Sequence, residues 1–438
     1  HGVLTARGEH AGLLVMSVLV GLAVAAVGVP AIVLLLAAVA FGLLVDRYGA
    51  RQLSLAFLVL AGFLGPMNAL RLGANVTLTD LCLVLCAGLA IMARATSGAQ
   101  PATRRRPVRP DVLAATLLIA GGIIGSQFAA NLGVSLSSII RFGLAAVGVP
   151  LVFAALGPTR AEVRLLAWAF VAGAAVNSVA GVLTYDPGNR GIGLSTHSNH
   201  LAAASLLASG FAAGLFLTAS RRAAWTAAAL WGIVAVGILK SGSRAGVIGE
   251  MILIALLLGL TGSGRILRWC VAVVVGVGVL LALNVIPYDE QDAIARVLGR
   301  NRAAVAASDF ERAQFRAKAI QGIEEHPLTG AGFEEARTAH NVYLQVWGAA
   351  GIIGLLGMAV LWSAAVLGLV EGMGGDRWVL GAAAAVVSFL VIASASNILW
   401  DRYLWFAFAL FVTGRMISRE EPAPADVAPA VLSGAGVA

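Results

Sequence analysis

Residues 308–354 read SDFERAQFRAKAIQGIEEHPLTGAGFEEARTAHNVYLQVWGAAGIIG. This stretch falls in the longest polar interval of the chain and ends in the start of an apolar segment. It carries Arg312, Arg316, Arg337 and His340, whereas the sequence around it is mostly apolar. Ionisable residues in an apolar chain usually mark functional sites. We therefore expect chemistry on a charged, water-borne or lipid-linked substrate here.

The composition of the whole chain predicts a membrane protein. Of its 438 residues, 59% are hydrophobic and 12% are charged, whereas soluble domains carry roughly 25% charged residues. We predict an all-α polytopic integral membrane protein. The net charge of +8 is typical of basic residues at the cytoplasmic membrane face, beside anionic lipid headgroups. The partner it predicts is the lipid bilayer, and no nucleic-acid partner is expected.

About fourteen apolar segments are candidates for helices that cross the membrane. They lie near 12–29, 31–45, 53–70, 77–92, 111–130, 134–156, 161–184, 198–219, 224–239, 245–261, 266–286, 341–370, 378–397 and 402–417. A bilayer core needs roughly 20 helical residues and several segments are shorter, so we predict about 12–14 transmembrane helices.

The segments divide the chain into four parts. Residues 1–286 form an N-terminal transmembrane bundle with short outer turns, and 287–340 form a long outer loop with an amphipathic helix. Residues 341–418 form the C-terminal transmembrane helices, and 419–438 form a low-complexity tail that we expect to be disordered. Within the loop we predict a helix at 309–325, capped by Ser308 or Asp309 and ended by Pro327.

The basic residues predict the orientation of the chain. If every segment crosses, one side receives Arg47, Arg51, Arg94, Arg104, Arg105, Arg106, Arg109, Arg160, Arg164, Arg221, Arg222, Arg265, Arg268, Arg415 and Arg419. We assign this side to the cytoplasm. The outer side then receives four features, which are the loop 185–199, the turn 240–244, the long loop 287–340 and the turn near 397–402.

His340 is the candidate general base. It precedes an apolar helix that Asn341 opens, and a helix N-terminus lowers the pKa of an imidazole. A neutral imidazole can accept a proton near neutral pH. The alternative is an interfacial histidine that only caps the helix.

The arginines of the outer side are candidates for binding a diphosphate. Arg190, Arg244, Arg312 and Arg316 face one compartment if the topology holds, and guanidinium groups bind phosphate oxygens in pairs. For each residue alone, the alternative is a side chain that reaches the membrane interface without a ligand. Arg141, inside the sixth segment, either reaches a lipid phosphate or pairs with a buried acceptor, and both roles stay open.

His197 and His200 follow Arg190 closely in the sequence. Together with His340 they could make a three-histidine zinc site, but no short ligand spacing joins the two regions. We expect both residues in the polar rim of a substrate pocket, and we expect no metal and no cofactor. Glu250 is the one clear carboxylate within a segment, which argues against a proton-coupled transporter.

Three further motifs accompany the long loop. RAQFRAKAIQGIEEHPLTGAG at 312–332 is followed by AHNVYL at 339–344 and GIIG at 351–354. Upstream lie SGSR at 241–244 and RGIGLS at 190–195, the latter followed by Ser198 and Asn199. Together they resemble the O-antigen ligase and polymerase superfamily of bacterial envelope glycan enzymes, over about residues 185–360. The stretch before Asn199 lacks the proline usual there.

The resemblance implies a metal-independent, inverting glycosyltransferase in the bacterial inner membrane, with its site facing the periplasm. The donor would be a glycan on undecaprenyl diphosphate, and the acceptor a lipid A–core sugar, as for an O-antigen ligase. It implies His340 as general base and Arg190 and Arg312 as diphosphate ligands, with Arg244 as a third or as a brace. Asn341 and Tyr343, in the AHNVYL motif, join the substrate-binding candidates.

The acceptor and the class of protein have alternatives. Another lipid-linked repeat unit would make the protein a polymerase, and a protein hydroxyl would make it an O-oligosaccharyltransferase. A transporter of a lipid-linked or acidic molecule would also carry arginine clusters. A glycosyltransferase of the cell-wall elongation kind is disfavoured, because no outer aspartate stands in a comparable setting.

Overall fold

The computed structural model describes residues 29–72, 76–96, 108–186, 189–283, 292–298, 302–333, 339–396 and 398–420. Its regular structure within these ranges is helical, apart from one isolated bridge between Arg71 and Thr77. The predicted all-α polytopic membrane fold is therefore confirmed. The tail beyond residue 420 and the first predicted segment up to residue 28 lie outside the described residues.

The described ranges contain sixteen α-helices. They are α1 (Val29–Tyr48), α2 (Ala50–Leu64), α3 (Leu78–Thr96), α4 (Pro110–Gly125), α5 (Leu132–Ala146), α6 (Gly148–Leu156), α7 (Arg160–Leu183), α8 (Ser198–Thr218), α9 (Arg221–Lys240), α10 (Arg244–Thr261), α11 (Gly264–Ala282), α12 (Ala293–Val297), α13 (Arg302–Glu325), α14 (Val342–Gly374), α15 (Arg377–Ile392) and α16 (Arg402–Glu420).

Nine helical stretches in the described ranges are long and apolar enough to cross a membrane. They are α3, α4, α5 with α6, α7, α8, α9, α10, α14 and α15. Four other helices, α1, α2, α11 and α16, coincide with predicted segments but are not among these nine. The predicted total of 12–14 spans therefore stays a prediction.

Helices α8 and α15 form the centre of the bundle. In their most apolar stretches, 89% and 83% of the residues are buried within the protein. Small residues let the two backbones approach closely, as is common where helices pack in lipid. A Cβ atom added at Gly210 would lie only 2.2 Å from the Cβ of Ala385.

Several arginines at one end of the bundle pair with carboxylates. Helix α7 begins at Arg160 and ends at Leu183, so Arg160 and the loop that follows α7 lie at opposite ends. At the Arg160 end, arginines pair with nearby carboxylates, as in Arg51 with Glu162 at 2.8 Å. Arg109 with Asp111 and Arg415 with Glu371 are further pairs of arginines that the sequence assigns to this side. The assignment of this end to the cytoplasm stays a prediction.

Helix α13 is longer than the sequence predicted. It begins at Arg302, so Asp309 lies inside the helix, and the prediction that Ser308 or Asp309 caps it was wrong. Asp309 instead binds an arginine of another helix through its side chain. Pro327 follows the end of the helix at Glu325, as predicted.

Helix α14 is broken inside the membrane-spanning stretch. Gly351 has φ 59° and ψ −153°, a conformation outside the helical region. The loop 326–332, which carries HPLTGAG, fills the break. Three backbone hydrogen bonds join the two: Ala331 N to Gly348 O (2.7 Å), Gly332 N to Ala349 O (3.1 Å) and Ile352 N to Leu328 O (3.1 Å). The loop thus pairs backbone groups that the break would leave unsatisfied in an apolar setting.

Candidate active site

Four arginines gather at the end of the bundle opposite Arg160. They are Arg190 from the loop before α8, Arg244 at the start of α10, Arg296 on α12 and Arg312 on α13. Burial lowers the pKa of Arg190, Arg296 and Arg312, and the neighbouring guanidiniums lower it further. Such shifts arise where like charges face one another, so this arginine cluster favours an anionic ligand.

Arg190 is held in place from two sides. Its Nε donates to the carbonyl of Ser241 at 2.9 Å, and its Nη2 donates to Oδ1 of Asn199 at 2.8 Å. These bonds connect the SGSR turn to the start of α8. The remaining nitrogen, Nη1, has no hydrogen-bond partner in the described part of the chain, so it is available to a ligand.

Arg244 and Arg312 share one carboxylate. Asp309 Oδ1 lies 2.5 Å from Arg244 Nη2 and 3.9 Å from Arg312 Nη1. Glu311 also raises the pKa of Arg312, but less than burial and Arg244 lower it. The carboxylates around the cluster therefore neutralise it only in part.

Arg296 was missed by the sequence analysis. It lies on the five-residue helix α12 and is only 6% exposed. A buried ion pair fixes α12 to the end of α9, because Lys240 Nζ lies 3.1 and 2.8 Å from the two carboxylate oxygens of Asp292. The sequence held one usable signal, since Asp292 precedes Arg296 by one helical turn and is a favoured residue before a helix start.

His340 lies directly before the N-terminal cap of α14. The side chain of Asn341 accepts hydrogen bonds from the amides of Tyr343 and Leu344 at 2.9 and 3.0 Å, so Asn341 is the cap. Among the described non-glycine residues, His340 alone has a positive φ, at 48°. Strained backbone of this kind is concentrated at functional sites.

The His340 imidazole is half-buried beside α13. Burial, and then the positive charge of Arg312, lower its pKa, while Glu311 acts in the opposite direction. The direction agrees with the sequence-based expectation, although the causes are burial and Arg312. Its Nδ1 is buried and has no hydrogen-bond partner within the described ranges. The ring is therefore neutral near pH 7 and able to accept a proton.

His197 is a second neutral imidazole at the site. Burial, followed by the charges of Arg190, His200, His340 and Arg312, lowers its pKa to about 4. Its Nδ1 accepts from the amide of Asn199 at 3.1 Å. Because Nδ1 accepts, the neutral ring carries its proton on Nε2 and can donate from there.

His200 lies near His197 and contacts the turn before α16 through Asp401. Its Nδ1 is 2.7 Å from Asp401 Oδ2, and the other carboxylate oxygen accepts from Asn68 at 2.8 Å. The rings of His197 and His200 are 6.2 Å apart between centroids. His200 is thus anchored to the turn before α16 and lies close to His197.

The remaining candidate residues lie at the edge of the cluster or apart from it. Arg316 is exposed on α13 and close enough to lower the pKa of Arg312. Tyr343 points away, because its hydroxyl donates to Leu390 O at 2.5 Å and accepts from Trp362 Nε1 at 2.8 Å. Arg141 is exposed on α5, and no contact within the described residues joins it to the cluster.

The structure is that of a polytopic membrane protein whose arginine cluster lies beside the histidine His340. A family model described as O-Antigen ligase matches residues 228–359. The match confirms the resemblance to the O-antigen ligase and polymerase superfamily, whose members are glycosyltransferase-like enzymes of glycan assembly. It contains Arg244, Arg296, Arg312 and His340, whereas Arg190 precedes it. No curated protein matches the chain.

Proposed function

We propose that this protein transfers a glycan from a polyprenyl diphosphate to the hydroxyl group of an acceptor. The main support for this proposal is that four arginines, whose charge nearby carboxylates neutralise only in part, lie beside the neutral imidazole of His340. The family match adds that its members act on lipid-linked glycans. We infer undecaprenyl diphosphate as the carrier and a lipid A–core sugar as the acceptor, as in an O-antigen ligase of the bacterial inner membrane.

The arginine cluster would bind the diphosphate of the donor. A diphosphate ester carries several negative charges, and its oxygens match the paired N–H groups of a guanidinium. Binding it would relieve the repulsion among Arg190, Arg296 and Arg312. The end of a membrane-spanning bundle also suits a donor whose diphosphate is attached to a lipid chain.

His340 would act as general base. In one displacement, its unprotonated nitrogen takes the proton of the acceptor hydroxyl, and the acceptor oxygen forms a bond to the anomeric carbon. The bond from that carbon to the diphosphate oxygen breaks, and its electron pair leaves with the diphosphate. The arginines stabilise the charge that develops on this leaving group, which is usually a large catalytic contribution. Attack opposite the leaving group inverts the anomeric configuration.

His197 would complete the pocket as a hydrogen-bond donor. Its Nε2–H is a neutral donor beside Arg190, so it can bind a phosphate or sugar oxygen without adding charge. Arg244 has the alternative role of bracing α13 through Asp309, and the donor affinity of an Arg244→Gln variant distinguishes the two roles.

The test is transfer by purified protein in liposomes that contain a polyprenyl-diphosphate-linked glycan. His340→Asn removes the base and keeps a residue that tolerates positive φ. We expect transfer to fall by about 10²–10⁴-fold while donor binding is retained. Full activity of this variant, with normal membrane insertion, would rule out His340 as the base.

The acceptor decides between the members of the superfamily. Transfer to a lipid A–core acceptor supports a ligase, and transfer to a second lipid-linked repeat unit identifies a polymerase instead. If the donor crosses the bilayer without any change in its bonds, the protein is a transporter and not a transferase.

A further inference from the structure

A second basic site lies at the other end of the bundle, between the N-terminal ends of α9 and α11. It is a cavity of about 580 Å³. Three arginines and three aromatic residues form much of its wall: Arg221, Arg265, Arg268, Phe216, Trp225 and Trp269. We call it the α9–α11 cavity.

The cavity is about one bilayer thickness away from the arginine cluster. Helix α9 begins at Arg221, which lines the cavity, and ends at Lys240, beside the cluster. A helix of its 20 residues is about 30 Å long, which matches the hydrocarbon core of a membrane. The cavity therefore belongs at the opposite membrane face and takes no part in the proposed transfer.

The positive charge of the cavity is not neutralised by the protein. No carboxylate is among its lining residues, and within the described ranges Arg221, Arg265 and Arg268 form no ion pair. Neither α9 nor α11 has an acidic residue in its first turn. Only two residues separate the C-terminal ends of α8 and α10 from the starts of these helices, so the opposite helix-end partial charges of about half a unit cancel. Three formal positive charges remain.

The aromatic wall gives the cavity an apolar side. The Trp269 ring stacks on Trp231 with centroids 3.6 Å apart, and its Nε1 donates to Ala228 O at 3.0 Å, so this part of the wall is fixed. Trp225 is 67% exposed at the mouth. Exposed tryptophan is enriched at the level of lipid headgroups. The cavity thus combines a site for phosphate with a surface for hydrocarbon.

We propose that the α9–α11 cavity binds an anionic phospholipid of the surrounding membrane. The arginines hold the phosphate of the headgroup, and the aromatic wall receives the glycerol and the first carbons of the acyl chains. Basic pockets between membrane helices are suited to such headgroups. A soluble phosphate would leave the aromatic half of the cavity unused, so the lipid is the better fit.

The test is the titration of delipidated full-length protein in detergent with short-chain phosphatidylglycerol, followed by native mass spectrometry. We expect Arg221→Gln, Arg265→Gln and Arg268→Gln each to weaken binding about fivefold, and the triple variant about a hundredfold. Arg222→Gln is the matched control, because Arg222 neighbours Arg221 but does not line the cavity. It should change the affinity less than about twofold. If the triple variant does not fold, the test is the comparison of the three single variants with Arg222→Gln.

Three outcomes would overturn the proposal. Equal weakening by Arg222→Gln and Arg221→Gln would show general surface attraction without a defined site. Equal binding of phosphatidylcholine of the same chain length would show that the arginines do not select charge. Displacement of the lipid by inorganic phosphate at similar concentration would show a site for a soluble anion.

Discussion

At the scale of single residues, the proposed mechanism depends on two neutral imidazoles among several arginines. His340 and His197 both have a lowered pKa, and burial is the largest cause for each. In the proposed mechanism their roles differ, because His197 donates from a fixed tautomer, whereas His340 accepts a proton. The sequence predicted His340 and Arg312 from motif and charge.

The pH dependence of kcat/KM reports the state of His340. The base must be neutral, and its neutral fraction falls as pH drops through its pKa. Because this pKa lies below the ordinary value of 6.5, the midpoint of the decline in kcat/KM should lie below pH 6.5. Arg312→Gln removes a nearby positive charge, so the decline should move to higher pH in that variant. A wild-type midpoint above 6.5, or an unmoved midpoint in the variant, would contradict the assignment.

Arg296 should contribute to donor affinity. Loss of a hydrogen bond to a charged group costs about 1.5–3 kcal/mol, so Arg296→Gln should weaken donor binding by about 10–150-fold. Arg316→Gln and Arg141→Gln are the matched comparisons, because both arginines are exposed and lie outside the centre of the cluster. Equilibrium binding of the donor to purified protein measures all three. An Arg296→Gln variant no weaker than these two would remove Arg296 from the site.

The position of Arg296 in the arginine cluster could not be predicted from the sequence. Arg296 lies in a polar loop with other arginines nearby, and the one signal for it in the sequence is Asp292, one helical turn before it. Its place in the cluster depends on the buried pair of Lys240 with Asp292, which joins residues far apart in the chain. Hydropathy assigned Lys240 and the long loop to the same side, but it contains no information about side-chain pairing.

At the scale of elements, the break in α14 explains why three motifs occur together. HPLTGAG fills the break, GIIG contains it, and the residues between the two carry His340. The apolar pattern predicted a helix over 341–370, yet it gave no sign of the break because glycine is common in membrane helices. Tyr343 and Asn341 are occupied by packing and capping, so their predicted role in substrate binding stays a prediction.

Substitution of Gly351 should disturb this arrangement. Gly351→Ala forces a side chain into positive φ and places its Cβ only 2.1 Å from the Leu328 carbonyl oxygen. We expect a loss of at least about 1–3 kcal/mol in the free energy of unfolding, together with reduced transfer. Gly259→Ala is the control, because Gly259 lies in α10 with open space around it and should change stability by less than about 1 kcal/mol. Thermal unfolding in detergent compares them, and equal effects would refute a structural need for glycine at 351.

At the scale of the whole molecule, the described contacts bring the predicted outer features together. The loop before α8, the SGSR turn and the long loop meet at the arginine cluster, and His200 bonded to Asp401 adds the turn before α16. Alternation of apolar segments sufficed to predict this, because each crossing reverses the side of the next loop. The opposite end carries paired arginines and the α9–α11 cavity. The molecule thus has two basic sites about one bilayer apart, and only one of them contains histidines.

The central claim is that the arginine cluster and His340 catalyse glycosyl transfer. The most direct measurement is the stoichiometry of the reaction by purified protein in liposomes, counting new glycosidic bonds and released polyprenyl diphosphate. We expect one polyprenyl diphosphate to be released for each glycan transferred, with inversion at the anomeric carbon. Donor that crosses the bilayer intact, or no glycosidic product with either a lipid A–core or a lipid-linked acceptor, would contradict it.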